Sequence, residues 1–448
     1  MKKTTFSIII YLLIFANVNK SFSQISIGGT PISFTKNINL NNIDKIFLQA
    51  PSISIVEKQD NFSKKNGQEL RIGLSITAEL SPKNSGTWTK LKDGSKIWQL
   101  EIISKGAKAI GLYYDKFSIP KGGKLYIYSE DKKQLKGAFT SINNNNKQEF
   151  ATELILGDKV IIEYNQPAYV NEDLDLFIGE ISYIYKGISN FNKNINWTEP
   201  SDDCEVNINC SPVGDNWQDE KRGVAKILIK NGSDYFLCSG TLINNTSQDC
   251  TPYFLTAYHC SGDASSSDHN QWIFYFNYES NTCTTPTNEP NSNTLTGCSV
   301  KTTSDISGGT DLQLLQLNTI PPQSYNPYYN GWSREPSASP SGVGIHHPAG
   351  SIKKISTYSS SLQTGTYTGA ASNVHWKVYW SSNDNGWGIT EGGSSGSPLF
   401  NNNGLVVGTL TGGLASCSAQ SDPDYYGKWI STGIIVIYPL ILTPKTQA

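Results

Sequence analysis

Short runs of β-branched and aromatic residues, separated by turn residues, recur along most of this 448-residue chain. In the first half, such runs occupy residues 97–102, 125–129 and 160–164. In the second half the runs recur at 224–230, 235–243, 253–260, 272–278, 312–317, 374–380 and 404–413, with almost no helical periodicity. We therefore expect an all-β protein built from sandwiches or barrels.

The chain begins with the features of a secretory signal peptide. Two lysines at positions 2 and 3 precede an apolar stretch at 6–16, and Ser21-Phe22-Ser23 follows as a small-x-small cleavage signal. A membrane anchor would need about 20 apolar residues, more than this stretch or residues 434–442 supply. We predict that residues 1–23 are removed and that the protein is secreted or periplasmic, without membrane association.

The cysteines divide the remaining chain into two parts. All eight lie in the second half, at positions 204, 210, 238, 250, 260, 283, 298 and 417. An even number behind a signal peptide predicts disulfides formed in an oxidising compartment. Residues 24–195 carry no chemical motif and are predicted to form a β-sandwich. Residues 188–203, which are polar and Asn-rich, are a predicted exposed cleavage region.

The charge balance excludes one class of partner. The chain has 36 basic and 38 acidic residues, so we expect no nucleic-acid binding. His259 ends a strand-like run, Asp311 opens another, and Ser395 lies in a Gly/Ser segment. Each alone has an ordinary interpretation: a structural histidine, a strand cap and a linker serine. Together they form the hydroxyl, imidazole and carboxylate set that acyl transfer requires, in a known chain order.

The motifs around these residues resemble those of the chymotrypsin-fold serine proteases. SGTLI precedes the histidine, and YFLTAYHC contains it. SGGTDLQLLQL contains the aspartate, and GITEGGSSGSPLF contains the serine. With CEVNINC, GIHHP and GGLASCSAQSDPDYYG, they are most similar to the secreted bacterial lysyl endopeptidases, over Cys204–Trp429. The resemblance implies a trypsin-like double six-stranded β-barrel in residues 196–448, and it implies that residues 24–195 are a propeptide.

The resemblance also implies roles for individual residues. His259 matches the general base, Asp311 its orienting carboxylate and Ser395 the nucleophile, with the N–H groups of Gly393 and Ser395 as the oxyanion hole. Asp424 matches the carboxylate at the bottom of the primary specificity pocket, and its neighbour Asp422 is the alternative. The pocket wall and the strand that pairs with substrate match Leu410, Thr411, Gly412 and Gly413. The implied activity is a secreted endopeptidase, monomeric and without cofactor or metal, that cleaves proteins or peptides after lysine.

Three departures keep other readings open. Thr411 stands where the family has a histidine, so cleavage after arginine is an alternative. Ser394 replaces the aspartate that trypsin-type enzymes use for activation, so we do not expect a new N-terminal ammonium to insert there. The segment after Trp429 shows no clear closing helix. An inactive protease-fold binding or adhesion module, or a secreted esterase with the same triad, therefore remain the rival functions.

The resemblance implies a disulfide pattern, and the other histidines receive structural roles. The implied pairs are Cys204–Cys417, Cys210–Cys283 and Cys238–Cys260, which leaves Cys250–Cys298 as an additional bridge. The adjacent residues His346 and His347 would point to opposite faces of a strand, so we expect packing and not metal binding. We expect His269 in a surface loop and His375 in or beside a strand.

Overall fold

A computed structural model of the chain describes residues 26–36, 43–65, 70–186, 200–260 and 264–429. The predicted signal peptide, most of the predicted cleavage region and the segment after Trp429 lie outside the described residues. The described part is mostly β, as predicted, with three α-helices at Ile32–Thr35 (α1), Ile53–Lys65 (α2) and Ser266–Asn270 (α3). No helix in these ranges is both long and apolar enough to span a bilayer.

Among the described residues, eleven strands precede residue 186. They are β1 (Asp44–Phe47), β2 (Leu70–Leu80), β3 (Thr87–Lys90), β4 (Lys96–Ile103), β5 (Ala109–Ser118), β6 (Lys124–Tyr128), β7 (Leu135–Phe139), β8 (Phe150–Ala151), β9 (Ile155–Leu156), β10 (Lys159–Gln166) and β11 (Asp175–Ile184). One sheet has the order β1-β4-β10-β6-β7, with β3 on β4. In the other, β11 lies between β2 and β5.

These two sheets face each other across one hydrophobic core. From the first sheet the core receives alternate residues of β4 (Trp98, Leu100 and Ile102), and from the second it receives Leu112 and Tyr114 of β5. Alternation places every second side chain of a strand on the same face. Residues 43–186 therefore have the layered arrangement of a β-sandwich.

Fifteen strands lie in the described ranges 200–260 and 264–429. They are β12 (Val206–Asn207), β13 (Val224–Asn231), β14 (Asp234–Ile243), β15 (Tyr253–Thr256), β16 (Ile273–Phe276), β17 (Asn293–Thr296), β18 (Cys298–Ser304), β19 (Leu312–Leu317), β20 (Gly342–His346), β21 (Lys354–Tyr358), β22 (Gln363–Gly365), β23 (His375–Val378), β24 (Pro398–Asn401), β25 (Val406–Gly413) and β26 (Asp424–Lys428).

The later strands belong to two sheets. Strands β13–β19 lie in the sheet that also contains β2, and the eight-stranded sheet has the order β12-β21-β20-β24-β25-β26-β23-β22. One buried cluster packs against each of these two sheets, and a third cluster combines residues of both. The strand orders run from one edge strand to another, so the two closed six-stranded barrels remain a prediction.

One sheet crosses the boundary predicted at residues 195 and 196. Strand β2 pairs with β14 in antiparallel register, from Leu74 opposite Asp234 to Leu70 opposite Leu237. The resulting twelve-stranded sheet contains strands from both halves of the chain. The two predicted domains thus share backbone hydrogen bonds in the described structure.

Three disulfides join cysteines of the second half: Cys204–Cys417, Cys210–Cys283 and Cys238–Cys260. The fourth expected bridge is wrong, because Cys250 and Cys298 are free thiols. Cys298 pairs with Leu317 on one edge of β19, and the segment just after Cys250 pairs with β19 on its other edge. Two strand spacings of about 4.8 Å separate them, more than the roughly 7 Å that a disulfide spans between Cα atoms.

Candidate active site

His259 and Asp311 are brought together by two neighbouring strands. His259 follows the end of β15, and Asp311 immediately precedes β19. These strands pair antiparallel, with Thr256 opposite Gln313, so the end of one lies beside the start of the other. His259 Nδ1 lies 2.6 Å from Asp311 Oδ2, and the His259 backbone N–H donates to Asp311 Oδ1 at 2.8 Å.

The Asp311 carboxylate is fully buried, at 0% exposure, and both of its oxygens bind His259. Because the Nδ1–H faces a carboxylate, the network assigns the tautomer in which Nε2 carries the lone pair that can accept a proton. Asp311 has φ 57, the left-handed region that aspartate tolerates better than most residues. The arrangement fixes both the orientation and the tautomer of the imidazole.

The Ser395 segment is held against the same strands. The Ser239 N–H donates to the Ser395 carbonyl at 2.8 Å, and the Gly396 N–H donates to the Leu410 carbonyl at 2.8 Å. Gly396 has φ 79, and a Cβ there would overlap Thr256 Oγ1 at the end of β15. Only glycine fits this position, and its fit places the serine loop beside the strand that leads to His259.

Gly393 makes a second close approach. Its φ is 98, and a Cβ would lie 3.0 Å from the Gly350 nitrogen and 3.1 Å from the His347 carbonyl oxygen. Ser239 Oγ donates to the Gly393 carbonyl at 2.9 Å. The loop is therefore anchored through its backbone, and the alternative of a flexible Gly/Ser linker is wrong.

A buried hydrogen-bond chain lies beneath the loop. The Glu391 N–H donates to Ser394 Oγ at 3.2 Å, and that oxygen lies 2.9 Å from His346 Nδ1. His346 Nε2 lies 2.9 Å from Ser356 Oγ, which donates to the Ile389 carbonyl at 2.8 Å. Each donor finds one acceptor if Ser394 donates to Nδ1 and Nε2–H donates to Ser356. Burial and nearby Lys354 lower the pKa of His346 to about 3, so its imidazole is neutral.

Asp424 lies at the start of β26 and is 1% exposed. Its Oδ2 accepts hydrogen bonds from Trp380 Nε1 and Thr390 Oγ1, both at 2.7 Å, and its Oδ1 accepts one from the Ala415 N–H at 3.3 Å. Burial raises the pKa of this carboxyl to about 6, although the three donors oppose the shift. The alternative residue, Asp422, is only half-buried.

The segment Leu410–Gly413 ends β25 beside Asp424. Gly413 pairs with Asp424, and a Cβ at Gly413 would overlap its Oδ1. Leu410 and Thr411 are buried, whereas Gly412 is half-buried and Gly413 is exposed. Thr411 Oγ1 lies 3.1 Å from His375 Nε2, so its hydroxyl is engaged with the histidine of β23. The two glycines therefore allow the Tyr367 hydroxyl and the Asp424 carboxylate to lie close to the backbone at the end of β25.

The remaining histidines are packed inside the fold. His346 and His347 are buried and His375 begins β23, as the sequence predicted. His269 is wrongly predicted as surface: it is 6% exposed, and its ring lies 4.6 Å from that of Trp272. Among the described residues, no group of three or more His, Cys, Asp or Glu side chains could hold a metal ion.

Sequence reasoning missed the partners of two site residues. Trp380 and Thr390 are 44 and 34 residues from Asp424, and His346 is 48 residues from Ser394. No local pattern reports such contacts. The sequence offered one indirect signal, because the motifs GIHHP and GITEGGSSGSPLF contain His346, Thr390 and Ser394.

Comparisons with known proteins agree with this geometry. Residues 198–427 match the family model described as the lysyl endopeptidase C-terminal domain. A lysyl endopeptidase of Pseudomonas aeruginosa is 27% identical over 402 residues, which cover 86% of this chain and 84% of that protein.

Among solved structures, protease Anisep from Arthrobacter nicotinovorans is 18% identical, with a TM-score of 0.37, and the match covers 49% of this chain and 95% of that one. The active form of the Rv3671c protease from M. tuberculosis is 15% identical, with a TM-score of 0.34, and its match covers 50% and 83% of the two chains. At TM-scores this low, the two structures do not define the fold of this chain.

Proposed function

This chain is a serine endopeptidase of the lysyl endopeptidase family, and we propose that it cleaves peptide bonds after lysine through an acyl-enzyme on Ser395. The observation that carries the lysine assignment is the buried carboxylate of Asp424, which lies beside the exposed end of β25. A cationic side chain would pair with this charge, whereas an apolar side chain would leave it unpaired in a buried site.

The proposed reaction uses His259 as the proton carrier. The Ser395 hydroxyl attacks the carbonyl carbon of the scissile bond while His259 Nε2 takes its proton. The imidazolium is stabilised by Asp311, whose Oδ2 lies 2.6 Å from His259 Nδ1. His259 then gives the proton to the leaving amine. In the second half, water attacks the acyl-enzyme, and His259 passes the water's proton to Ser395.

The negative charge of the tetrahedral intermediate needs donors that are already in place. We assign this role to the backbone N–H groups of Gly393 and Ser395. The positive φ of Gly393 and its close approach to the backbone of residues 347–350 support the assignment, because they fix the orientation of its peptide unit. Preorganised donors of this kind contribute about 10²–10³ in rate each.

The backbone of the substrate would bind as an added strand. Gly412 and Gly413 end β25 without side chains, so an extended peptide can approach their N–H and C=O groups. The side chain before the scissile bond would then enter the space next to Asp424. Thr411, whose hydroxyl lies 3.1 Å from His375 Nε2, stands in the proposed pocket wall and keeps arginine as the alternative to lysine.

We further propose that residues 1–23 are a signal peptide and residues 24–195 a propeptide, removed by cleavage within 187–203. Three disulfides in the second half favour an oxidising, extracytoplasmic location. Lys193–Asn194 would permit self-processing by a lysine-specific enzyme. N-terminal sequencing of the secreted active protein tests this, and an active enzyme that retains residues 24–190 as one continuous chain contradicts it.

The decisive experiment is digestion of a mixed peptide pool by the purified protein, with the residue before each cut read by mass spectrometry. We expect lysine before nearly all cuts, and no cutting by Ser395→Ala. Cuts after both lysine and arginine would establish the broader specificity. Cuts without preference for cationic residues would contradict the role of Asp424.

The same protein separates the rival functions. A fluorophosphonate probe should label the wild type on Ser395 and not label Ser395→Ala. An unlabelled mature wild type would indicate an inactive binding module. Turnover of small esters without any peptide cleavage would indicate an esterase.

A further inference from the structure

The oxyanion donor proposed at Gly393 is held through the peptide unit that precedes it. The carbonyl of Gly392 accepts a hydrogen bond from the Ala349 N–H at 2.7 Å. In a trans peptide unit the C=O and the following N–H point in opposite directions. The contact with Ala349 therefore fixes the direction of the Gly393 N–H, which is the group that would bind the developing negative charge.

The Ala349 N–H belongs to a tight turn formed by residues 347–351, the support turn. The Ser351 N–H donates to the Pro348 carbonyl at 2.8 Å and closes this turn. At its centre Ala349 has φ 51, in the left-handed region, which is unfavourable for a residue with a Cβ. A backbone in this conformation keeps its shape only where the surrounding contacts hold it. The position of the Ala349 N–H therefore depends on the groups that bind the support turn.

The ammonium group of Lys226, in strand β13, binds the support turn from below. Its Nζ donates a hydrogen bond to the Gly350 carbonyl at 3.2 Å. The same nitrogen lies 3.6 Å from the ring centroid of Tyr278 and 4.9 Å from that of Tyr275, so two aromatic rings lie against the charge. Lys226 is 9% exposed. Because a buried cation that loses an acceptor is strongly destabilised, this ammonium holds the Gly350 carbonyl in one position.

The hydroxyl of Ser239 joins the support turn directly to the loop that carries Ser395. Ser239 Oγ accepts a hydrogen bond from the His347 N–H at 3.0 Å and donates one to the Gly393 carbonyl at 2.9 Å. A hydroxyl group has one donor and can accept at the same time, so both bonds form together. Ser239 is 0% exposed, and solvent does not compete for either bond. The support turn is thus linked to the carbonyls of both Gly392 and Gly393.

We propose that Lys226 and Ser239 are positioning residues for the oxyanion donor: they hold the support turn so that the Gly393 N–H faces the carbonyl oxygen of the scissile bond. The inference rests on the proposed protease function. Both side chains act through backbone atoms of the turn and the loop and not by contact with substrate. Because a displacement of about 1 Å at a catalytic group can cost about 10²-fold in rate, loss of either support lowers the rate of the chemical step and leaves substrate binding intact.

Lys226→Met tests the proposal on the full chain after cleavage within 187–203, because methionine keeps an unbranched apolar side chain and removes the charged donor. For a lysyl peptide amide we expect kcat to fall by about 10–100-fold with little change in KM. A lysyl peptide boronate, whose boron bonds to the Ser395 oxygen and becomes a tetrahedral anion, should lose affinity by a similar factor. The competitive ligand n-butylamine, which would bind the Asp424 carboxylate and forms no oxyanion, should bind wild type and variant equally.

Ser239→Ala is the second variant, and it tests the same support if Lys226→Met does not fold. It should lower kcat and boronate affinity together without removing a buried charge. Lys221→Met is the matched control, because Lys221 is also 9% exposed and its ammonium lies 2.7 Å from Glu279, outside the support turn. We expect Lys221→Met to lower thermal stability and to leave kcat and boronate affinity unchanged.

The outcomes separate this inference from the proposed function. Unchanged kcat and boronate affinity in folded Lys226→Met and Ser239→Ala would overturn the inference and leave the protease function intact. Equal losses of boronate and n-butylamine affinity would also overturn it, since they indicate general disruption of the site, and so would an equal loss of kcat in Lys221→Met. A wild type that hydrolyses no lysyl substrate would instead reject the proposed function, and this inference with it.

Discussion

The two halves of the molecule stabilise their structures in different ways. In the N-terminal region, which contains no cysteine, one large cluster between two sheets forms most of the core. In the C-terminal region the core is divided into smaller clusters, and three disulfides join distant segments. Cys260, which is bridged to Cys238, directly follows His259 in the chain. Cys417, which is bridged to Cys204, lies in the loop before Asp424. Two of the three cross-links thus lie beside candidate site residues, and the continuous core lies in the half to which no site residue is assigned.

The same contrast appears in the buried carboxylates. Glu163 in the N-terminal region is 0% exposed and accepts hydrogen bonds from neutral donors, which are Ser33, Gln99, Tyr128 and Asn165. Asp311, equally buried, is paired instead with an imidazole that can exchange a proton. We therefore expect a structural role for Glu163, whereas Asp311, which holds a titratable partner, is available to chemistry.

The largest expected effect separates these two acids. Asp311→Asn should lower kcat by about 10⁴-fold, because an amide disfavours the tautomer that leaves Nε2 free. Glu163→Gln is the matched control: it should lower the free energy of unfolding of the N-terminal region and leave kcat of the cut enzyme unchanged. Steady-state kinetics and chemical denaturation measure the two effects. A similar loss of kcat in both variants would remove the distinction between the halves.

A smaller effect is expected at Asp424, the carboxylate proposed to set the specificity. Asp424→Ala should lower kcat/KM for a lysyl amide by about 10²–10³-fold, because the substrate ammonium loses a buried partner. Turnover of a small ester with an uncharged side chain should change little, since it does not use this carboxylate. Asp422→Ala serves as the control on the half-buried neighbour. Equal losses for the lysyl amide and the uncharged ester would show that Asp424 supports the fold and not the specificity.

The disulfide contrast predicts a stability difference. Cys204→Ser with Cys417→Ser should cost about 2–5 kcal/mol of unfolding free energy in the C-terminal region, because the bridge closes a long loop. The N-terminal region, which has no cross-link, should keep its resistance to protease under reducing conditions. Differential scanning calorimetry and limited proteolysis, with and without reductant, measure both. A C-terminal region that is unaffected by both changes would contradict the stabilising role of its bridges.

Local patterns predicted ten of the 26 strands that the described residues form. The runs at 97–102, 125–129 and 160–164 fall in β4, β6 and β10, and 224–230 falls in β13. The helix at Ile53–Lys65 was missed: it interrupts a region with strand-like neighbours, and its sequence has only a weak apolar stripe. The sheet that joins the halves was missed for a different reason. Pairing of β2 with β14 connects residues more than 160 positions apart, and strand edges carry no local signature of their partner.

The site shows the same division between local and distant information. His259 and Asp311 could be paired from the chemistry of acyl transfer and the chain order of the three residues, and their 2.6 Å contact follows from the pairing of β15 with β19. The donors to Asp424 and the Ser394–His346 contact could not be predicted, since they depend on how separate strands pack. The wrong Cys250–Cys298 bridge has the same origin: an even count suggested a pair, but the spacing of strands around β19 keeps the thiols apart.

The smallest expected effect concerns the indole that holds Asp424. Trp380 Nε1–H stabilises the ionised carboxylate, whose pKa burial has already raised to about 6. Trp380→Phe removes this donor, so the pKa should rise further, and more of the carboxyl should be protonated near neutral pH. The acidic limb of kcat/KM for a lysyl amide should therefore move to higher pH by about 0.5–1 unit, with about a two- to fivefold loss at pH 6 and little at pH 9. An uncharged ester does not use the Asp424 carboxylate and should keep its profile. Since an ammonium binds only the ionised form of Asp424, identical lysyl profiles for wild type and Trp380→Phe would mean that the indole does not control the charge of the specificity pocket.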